Sequence, residues 1–353
     1  MIPSKDVKAV RMPAEWEPHD ATWIAWPHHA DDWPEKFPSI DWVYAEIALH
    51  LAQSERVEIL CHNEQVQQRA EECCRAHGVG NQLRFHLAQT DRSWLRDSLP
   101  TLVYGGQHGA HWVSWKFNAW AKYDNFSADA QLSQFVSSAT NISCVDAIRL
   151  DNGSRLVLEG GAFDVDGDGT LLTTEECLLS TVQQRNPELT RAGYDSCFNE
   201  YLGISKVIWL SGSCAGDDTH GHVDDAARFV RHGAVVIALE TDETEAENFR
   251  ITQANHRILR NSHDAHGRTI DVIPLPMPTP RHYFSDRLPA SYANFYIANS
   301  VVLVPTFNDR NDSRAISILQ EQFPDRDVIG IHAVDLVLGF GTLHCLTQQQ
   351  PSL

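Results

Sequence analysis

An α/β fold is the class the sequence predicts, and three observations carry it. Short apolar and β-branched runs alternate with stretches of helical periodicity along the whole chain. Gly, Pro and Asn punctuate many of the changes between them. No Pro-, Gly- or Ser-rich linker and no low-complexity segment divides the 353 residues, so the chain reads as one domain, 1–353. On spacing alone the arrangement resembles a doubly wound sheet.

In order, residues 22–26 read as a strand that Pro27 ends, and 40–52 as a helix with Trp42, Val43, Ile47 and Leu51 at helical spacing. Residues 57–61 follow as a strand. Asn63 caps a helix running to about His77 and stopped by Gly78, and 82–87 is again a strand. Strand-like 102–104 and 112–115 precede a helical 128–136, then strands at 144–148 and 156–158. Helices at 187–201, 244–259 and 313–323 alternate with strands at 207–210, 235–239, 272–275, 301–304 and 328–331. Trp16, Trp23, Trp26, Trp112 and Trp115 are expected to pack in the interior.

Composition narrows the function. Hydrophobic residues make up 42% and charged residues 21%, which excludes a disordered chain. The balance of 28 basic to 47 acidic residues gives −19, which argues against a nucleic-acid groove and favours cationic ligands. Eight cysteines lie scattered without a Cys-x-x-Cys pair, a pattern of reduced thiols rather than of a disulfide frame or a zinc site. Met1 to Asp6 leads into acidic, proline-punctuated sequence with no apolar run behind it, so no leader peptide is expected. No apolar stretch approaches a membrane span, and a cytoplasmic location is expected. Homo-oligomerisation is left open.

One acidic stretch imitates a metal site. Residues 164–175 satisfy the calcium-loop pattern of an EF-hand, with Asp164, Asp166, Asp168 and Glu175 at the ligand positions and Gly167 at the sixth. That loop needs a helix on each side, whereas 156–163 and 170–172 look like strands. The run therefore reads as the tip of a β-hairpin. His220 and His222 form a His-x-His pair, but no further ligands stand at metal spacing.

Three clusters carry chemistry. Cys345 lies near the chain end after Gly339, Phe340 and Gly341, and reads as a thiol presented by a short strand behind a glycine-containing approach. His222 and Asp224 stand two apart and share a face if their run is extended, which would set a general base beside a carboxylate. Trp94 and Asp97 are three apart at the end of an apolar run, a face and an acid suited to a planar cation. His344 is expected on the face opposite Cys345.

These clusters, in this order, resemble the agmatine deiminases and bacterial peptidyl-arginine deiminases of the guanidino-group-modifying, or pentein, superfamily. The resemblance runs through Met12 to His19, Trp23 to Pro27, Trp94 to Asp97, Lys116 to Trp120, Leu158 to Gly161, Thr173 to Leu179, Gly221 to Asp224, Pro289 to Tyr296 and His344 to Gln349. It implies a five-bladed α/β propeller of pseudo-repeats with the site at its axis, which would let Asp97, His222 and Cys345 meet. It also implies agmatine as substrate, with Asp97 and Asp224 clamping the guanidinium beside Trp94. Cys345 would be the nucleophile, His222 the proton carrier, and Asn294 and Asn118 polar lining residues. No cofactor and no metal are implied. The mechanism would pass through an alkylthiouronium on Cys345 and release ammonia and N-carbamoylputrescine.

Three departures from the family's usual wording bear on substrate. Ser98-Leu99-Pro100 replaces Thr-Gly-Pro, Phe340 interrupts a glycine run, and His220 stands in place of Asn or Asp. Lys116 and Lys122 keep arginine at a peptide terminus open as an alternative, since a carboxylate needs a cation. Two readings of other classes remain: a papain-like Cys-His hydrolase, which gives no reason for paired acids, and a non-catalytic guanidine or polyamine sensor, which would not need Cys345.

Overall fold

A computed structural model describes residues 9–353, so the reading of Met1 to Asp6 falls outside it. Strand β1 (His19–Ala25) leads through helix α1 (Phe37–Leu51) to β2 (Arg56–Cys61), then through α2 (Glu64–Ala76) to β3 (Leu83–Leu87), all parallel. Asn63 caps α2 as expected, accepting from Val66 N at 3.0 Å, which satisfies one of the free N–H groups of the first turn. The turn α3 (Leu95–Ser98) follows. Next come β4 (Thr101–Val103), β5 (His111–Ser114), α4 (Leu132–Thr140) and β6 (Cys144–Asp146).

Strands β7 (Phe163–Val165) and β8 (Thr170–Thr174) form a hairpin, and α5 (Glu175–Leu179) and α6 (Arg191–Leu202) carry the chain to β9 (Lys206–Leu210). The pattern returns with β10 (Ala227–Arg231), β11 (Ala234–Leu239), α7 (Ala246–Arg260) and β12 (Asp271–Pro276). A small hairpin, β13 (Arg281–Tyr283) with β14 (Asp286–Leu288), stands apart. Then come β15 (Tyr296–Ile297), β16 (Val301–Thr306), α8 (Asp312–Gln322) and β17 (Asp327–His332). The turn α9 (Leu343–Leu346) precedes β18 (Gln348–Pro351), which pairs back onto β1.

Five sheets therefore share one plan: an antiparallel pair, then a helical crossover to a parallel strand. The doubly wound sheet that periodicity suggested is replaced by several small sheets, because the parallel strands pair only locally. The first and last strands, β1 and β18, meet in the first sheet. There the glutamines of β18 are buried, with Gln350 accepting from Trp23 Nε1 at 3.0 Å and Gln349 accepting from Arg96.

Other expectations are corrected locally. Residues 156–158 form only isolated bridges, from Arg155 to Ile148 and from Val157 to Lys116, rather than a strand. Trp42 is exposed on α1 with its ring against His77 at 4.6 Å, while Val43, Ile47 and Leu51 face the core. The acidic 164–175 run is the β7–β8 hairpin, as its turn chemistry predicted. Asp164 is committed to Arg228 at 3.1 Å, and Asp166 Oδ1 accepts from the N–H groups of Asp168 and Thr170. Of the five tryptophans expected inside, Trp23, Trp26, Trp112 and Trp115 are buried and Trp16 is partly so. Among the described residues no helix is long and apolar enough to cross a membrane.

Candidate active site

The clusters singled out in the sequence meet, but not on the strands expected for them. Trp94 to Asp97 ends in the single turn α3, Val223–Asp225 forms a 3-10 turn entered by an extended His222, and Cys345 sits in α9. Four-residue turns carry no periodicity, so the sequence gives them no helical signal.

Asp97 is buried and doubly held, Oδ1 accepting from Gly161 N at 3.0 Å and Oδ2 from Trp120 Nε1 at 2.8 Å. Trp120 reaches it from a turn in which Ala119, Trp120 and Ala121 all have positive φ, between 49° and 59°. Such a left-handed run costs free energy at each side chain, and the indole donor it delivers to Asp97 gives the site a reason for it. Asn118 does not reach the site. It caps this turn, with Oδ1 accepting from Ala121 N at 3.0 Å, and so acts on Asp97 only through Trp120.

His222 is buried with Nδ1 3.8 Å from Asp97 Oδ1 and Nε2 3.5 Å from Glu159 Oε2, ion-pair distances with no hydrogen bond made. Burial pushes its pKa down, but Asp97, Glu159 and Asp224 outweigh that and raise it to about 9. At neutral pH the ring is therefore an imidazolium. Glu159 is itself buried and fixed by Arg185 Nε at 3.2 and 3.3 Å. Burial raises the Glu159 carboxyl and the Arg185 and His222 charges lower it further, so it stays ionised. In the sequence Glu159 lies within the Leu158 to Gly161 stretch of the family resemblance, and nothing in its spacing signals a role beside His222.

Asp224 hangs from a deeper network. Its Oδ2 lies 2.7 Å from His344 Nδ1, and His344 Nε2 lies 2.9 Å from Glu15 Oε2. Glu15 also takes Arg96 at 3.1 Å and Arg228 at 2.9 Å. The imidazole of His344 thus bridges two buried carboxylates, one at each ring nitrogen, and fixes Asp224 in place. The expectation that His344 turns away from the site is corrected: on a helical turn, consecutive side chains are not on opposite faces. Burial raises the Asp224 carboxyl, and the bonds and charges of His344, His222 and Arg228 lower it below its ordinary value.

Cys345 Sγ lies 3.7 Å from Asp224 Oδ2 and accepts from Asn294 Nδ2 at 3.1 Å. Asn294 is buried, and its Oδ1 accepts from Thr342 Oγ1 at 2.7 Å and His344 N at 3.0 Å, fixing the approach to the thiol. Burial, then Asp224, Asp225 and Asp97, push the thiol well above its ordinary pKa. Trp94 lines the cavity above, clasped edge-on by the backbone at Gly339 and Gly341, where an added Cβ would stand 2.7 and 2.8 Å from its ring.

The tightest statement of the geometry is made by Gly161. A Cβ there would lie 2.5 Å from His222 Nδ1, 3.0 Å from Asp97 Oδ1 and 3.1 Å from Asp224 Oδ2, so the three groups surround one point beside a bare backbone. From the thiol a cavity of about 340 Å³ opens outward. Its mouth carries Asp31, Asp218, Asp286 and Tyr283. The Arg92 of the lining is already engaged by Asp32 at 2.7 Å, Lys122 outside the lining pairs with Asp218, and Lys116 is exposed outside it as well.

Residues 11–351 match the family described as Porphyromonas-type peptidyl-arginine deiminase. The chain belongs to that family. It is 36% identical to the agmatine deiminase of Stutzerimonas stutzeri, covering 97% of this chain and 95% of that one. The solved agmatine deiminase of Enterococcus faecalis superposes with a TM-score of 0.87 at 29% identity, over 97% of this chain and 96% of that one. A cysteine-to-serine variant of the C. jejuni agmatine deiminase, solved with substrate bound, gives 0.85 at 25% identity, over 97% and 96%.

Proposed function

We propose that this protein is an agmatine deiminase, hydrolysing the guanidinium of agmatine to N-carbamoylputrescine and ammonia. The observation that carries the reading is the convergence of Cys345, His222, Asp97 and Asp224 around one buried point. Full-length relatives that bear the agmatine deiminase name support it.

Asp97 and Asp224 clamp the planar cation, Trp94 lies beside it, and the cation offsets the acids that keep the Cys345 thiol protonated. The thiol gives its proton to solvent as substrate seats, and the thiolate recovers one from solvent when product leaves. Sγ then forms a bond to the central carbon, the His222 imidazolium gives its proton to the departing nitrogen, and the C–N bond breaks to release ammonia. A positively charged alkylthiouronium remains on Cys345. His222, now neutral, takes a proton from water as the hydroxyl adds to the same carbon. The C–S bond breaks, the thiolate departs, and the hydroxyl proton passes to solvent to leave the ureido product. Glu159 keeps the imidazolium oriented, and Asn294 supports the thiolate with its N–H. Each of these residue roles is part of the proposal.

The tail of the substrate is an amine rather than a carboxylate. Asp31 and Asp286 line the cavity without an ion pair among the described residues, and its Arg92 is paired with Asp32, which supports a distal cation and disfavours arginine. We further read residues 1–353 as one catalytic domain built as a five-bladed pentein propeller. Five sheets of one plan, and the return of β18 to β1, support this reading. Eight unpaired cysteines support a reducing, cytoplasmic setting.

The test is to incubate the protein, with a chelator present, separately with agmatine, free arginine and an arginine-terminated peptide, following ammonia and ureido product. Turnover of agmatine far above that of the other two is expected. Cys345→Ala should abolish it and still bind agmatine. Ammonia from none of the three, or turnover that survives Cys345→Ala, overturns the proposal.

A further inference from the structure

The approach to the nucleophile contains an inversion of the usual logic of glycine. Residues 339–341 are Gly-Phe-Gly, and the conformation that favours glycine belongs to the middle residue: Phe340 has φ 63° and ψ 20°, in the left-handed region. The two glycines have no such φ. They are small because the Trp94 ring lies against them, and a Cβ at Gly341 would also stand 3.1 Å from Cys345 Cβ. A glycine at position 340 would satisfy the backbone at lower cost, yet an aromatic ring is held there.

The ring lines the cavity. Phe340 is half-buried, and Leu338, Gly341 and Cys345 line the same cavity. The exposed acids Asp31 and Asp286 line it too. From the carbon that Cys345 attacks outward, a ligand therefore meets a charged clamp, an apolar wall and a negative rim. The Phe340 side chain packs against the main hydrophobic core and is held there at the wall of the cavity, and a strained side chain so held beside a reacting group points to a role in binding.

We propose that Phe340 is a specificity-determining residue, the apolar wall against which the methylene chain of the substrate packs between its guanidinium and its distal cation. This rests on the deiminase reading and deepens it. Phe340 selects guanidines with an unbranched, uncharged spacer and disfavours those with a carboxylate on the spacer, which would lose its water against the ring without gaining a cation.

Two substitutions test it. Phe340→Gly removes the ring and relieves the backbone, and Phe340→Asn keeps a residue tolerant of this conformation while replacing the ring by a polar group. Both are measured for agmatine, for arginine and for methylguanidine, which has the guanidinium and no chain, with thermal melting as the check on folding. In both variants KM for agmatine should rise about tenfold, the scale of losing apolar contact with part of a small substrate, with kcat within about threefold. The constants for methylguanidine should stay within about twofold, and the ratio of agmatine to arginine kcat/KM should fall about tenfold in step with KM.

An unchanged agmatine KM in a folded variant refutes the proposal. So does an equal loss with methylguanidine, which would make Phe340 a support of the nucleophile loop rather than a wall for the chain. If Phe340→Gly melts early, Phe340→Asn and Phe340→Leu decide, with Leu expected to retain most of the agmatine affinity and Asn to lose it. Wild-type protein inert toward agmatine would instead refute the deiminase reading, so the two failures are distinguishable.

Discussion

Placing a methyl group on Gly161 is the sharpest perturbation of the proposed site. The added carbon would stand 2.5 Å from His222 Nδ1, 3.0 Å from Asp97 Oδ1 and 3.1 Å from Asp224 Oδ2. Non-bonded carbon contacts are comfortable from about 3.5 Å, so the imidazole must withdraw by about 1 Å and the carboxylates by about half that. A displacement of about 1 Å at a reacting group costs about 100-fold in rate, or about 2.7 kcal/mol of barrier. The same methyl occupies space the guanidinium needs, so kcat/KM for agmatine should fall by at least about 100-fold. Overpacking should cost the fold about 1–3 kcal/mol.

Gly160→Ala supplies the contrast. Its Cβ would lie 2.2 Å from the backbone oxygen of Arg96, which cannot yield without moving α3, so this variant should lose more stability than Gly161→Ala. Ureido product formation and thermal melting on the same preparations read both effects. A Gly161→Ala protein that turns over agmatine within fivefold of wild type would refute the claim that the three groups define the guanidinium seat.

Other expectations follow from the same geometry. His344→Ala leaves Asp224 and Glu15 without the imidazole that bridges them, so stability should drop by about 3–5 kcal/mol in denaturant titration and turnover should fall with it. Trp120→Phe keeps the ring and removes one donor to Asp97, and should raise KM for agmatine about tenfold, the equivalent of one hydrogen bond to a charged group. The pKa of His222 is raised from 6.5 to about 9, so the stability it contributes is complete below pH 6.5 and is lost as pH rises through about 9. The melting temperature should decline over that window, and His222→Gln should flatten the decline. Calcium should leave the melting temperature unchanged, because Asp164 is committed to Arg228 and Phe229 N.

Much of the secondary structure was legible because long elements carry their period on their surface. The helix α2 was readable from Asn63 to Gly78, and the β16 and β17 runs from their β-branched residues, those of β16 buried almost throughout and those of β17 only in part. The elements missed lack such a period. β15 has two residues, and β13 and β14 have three each and include charged side chains. In β18 the buried residues are glutamines, which only their hydrogen bonds to Trp23 and Arg96 make tolerable.

By itself, the sequence determined which chemical groups the protein owns: a late thiol in Cys345, the acids Asp97 and Asp224, the imidazole of His222, and a charge balance suited to a cation. Only tertiary structure decided who stands next to whom. His344 anchors Asp224, Glu159 flanks His222, Asn118 props Trp120 rather than lining the cavity, and the Arg92 of the lining is neutralised by Asp32. The reason is physical. Side-chain chemistry is local and can be read residue by residue, whereas burial, pairing and the resulting pKa shifts arise from neighbours brought in by sheets that close over hundreds of residues of separation.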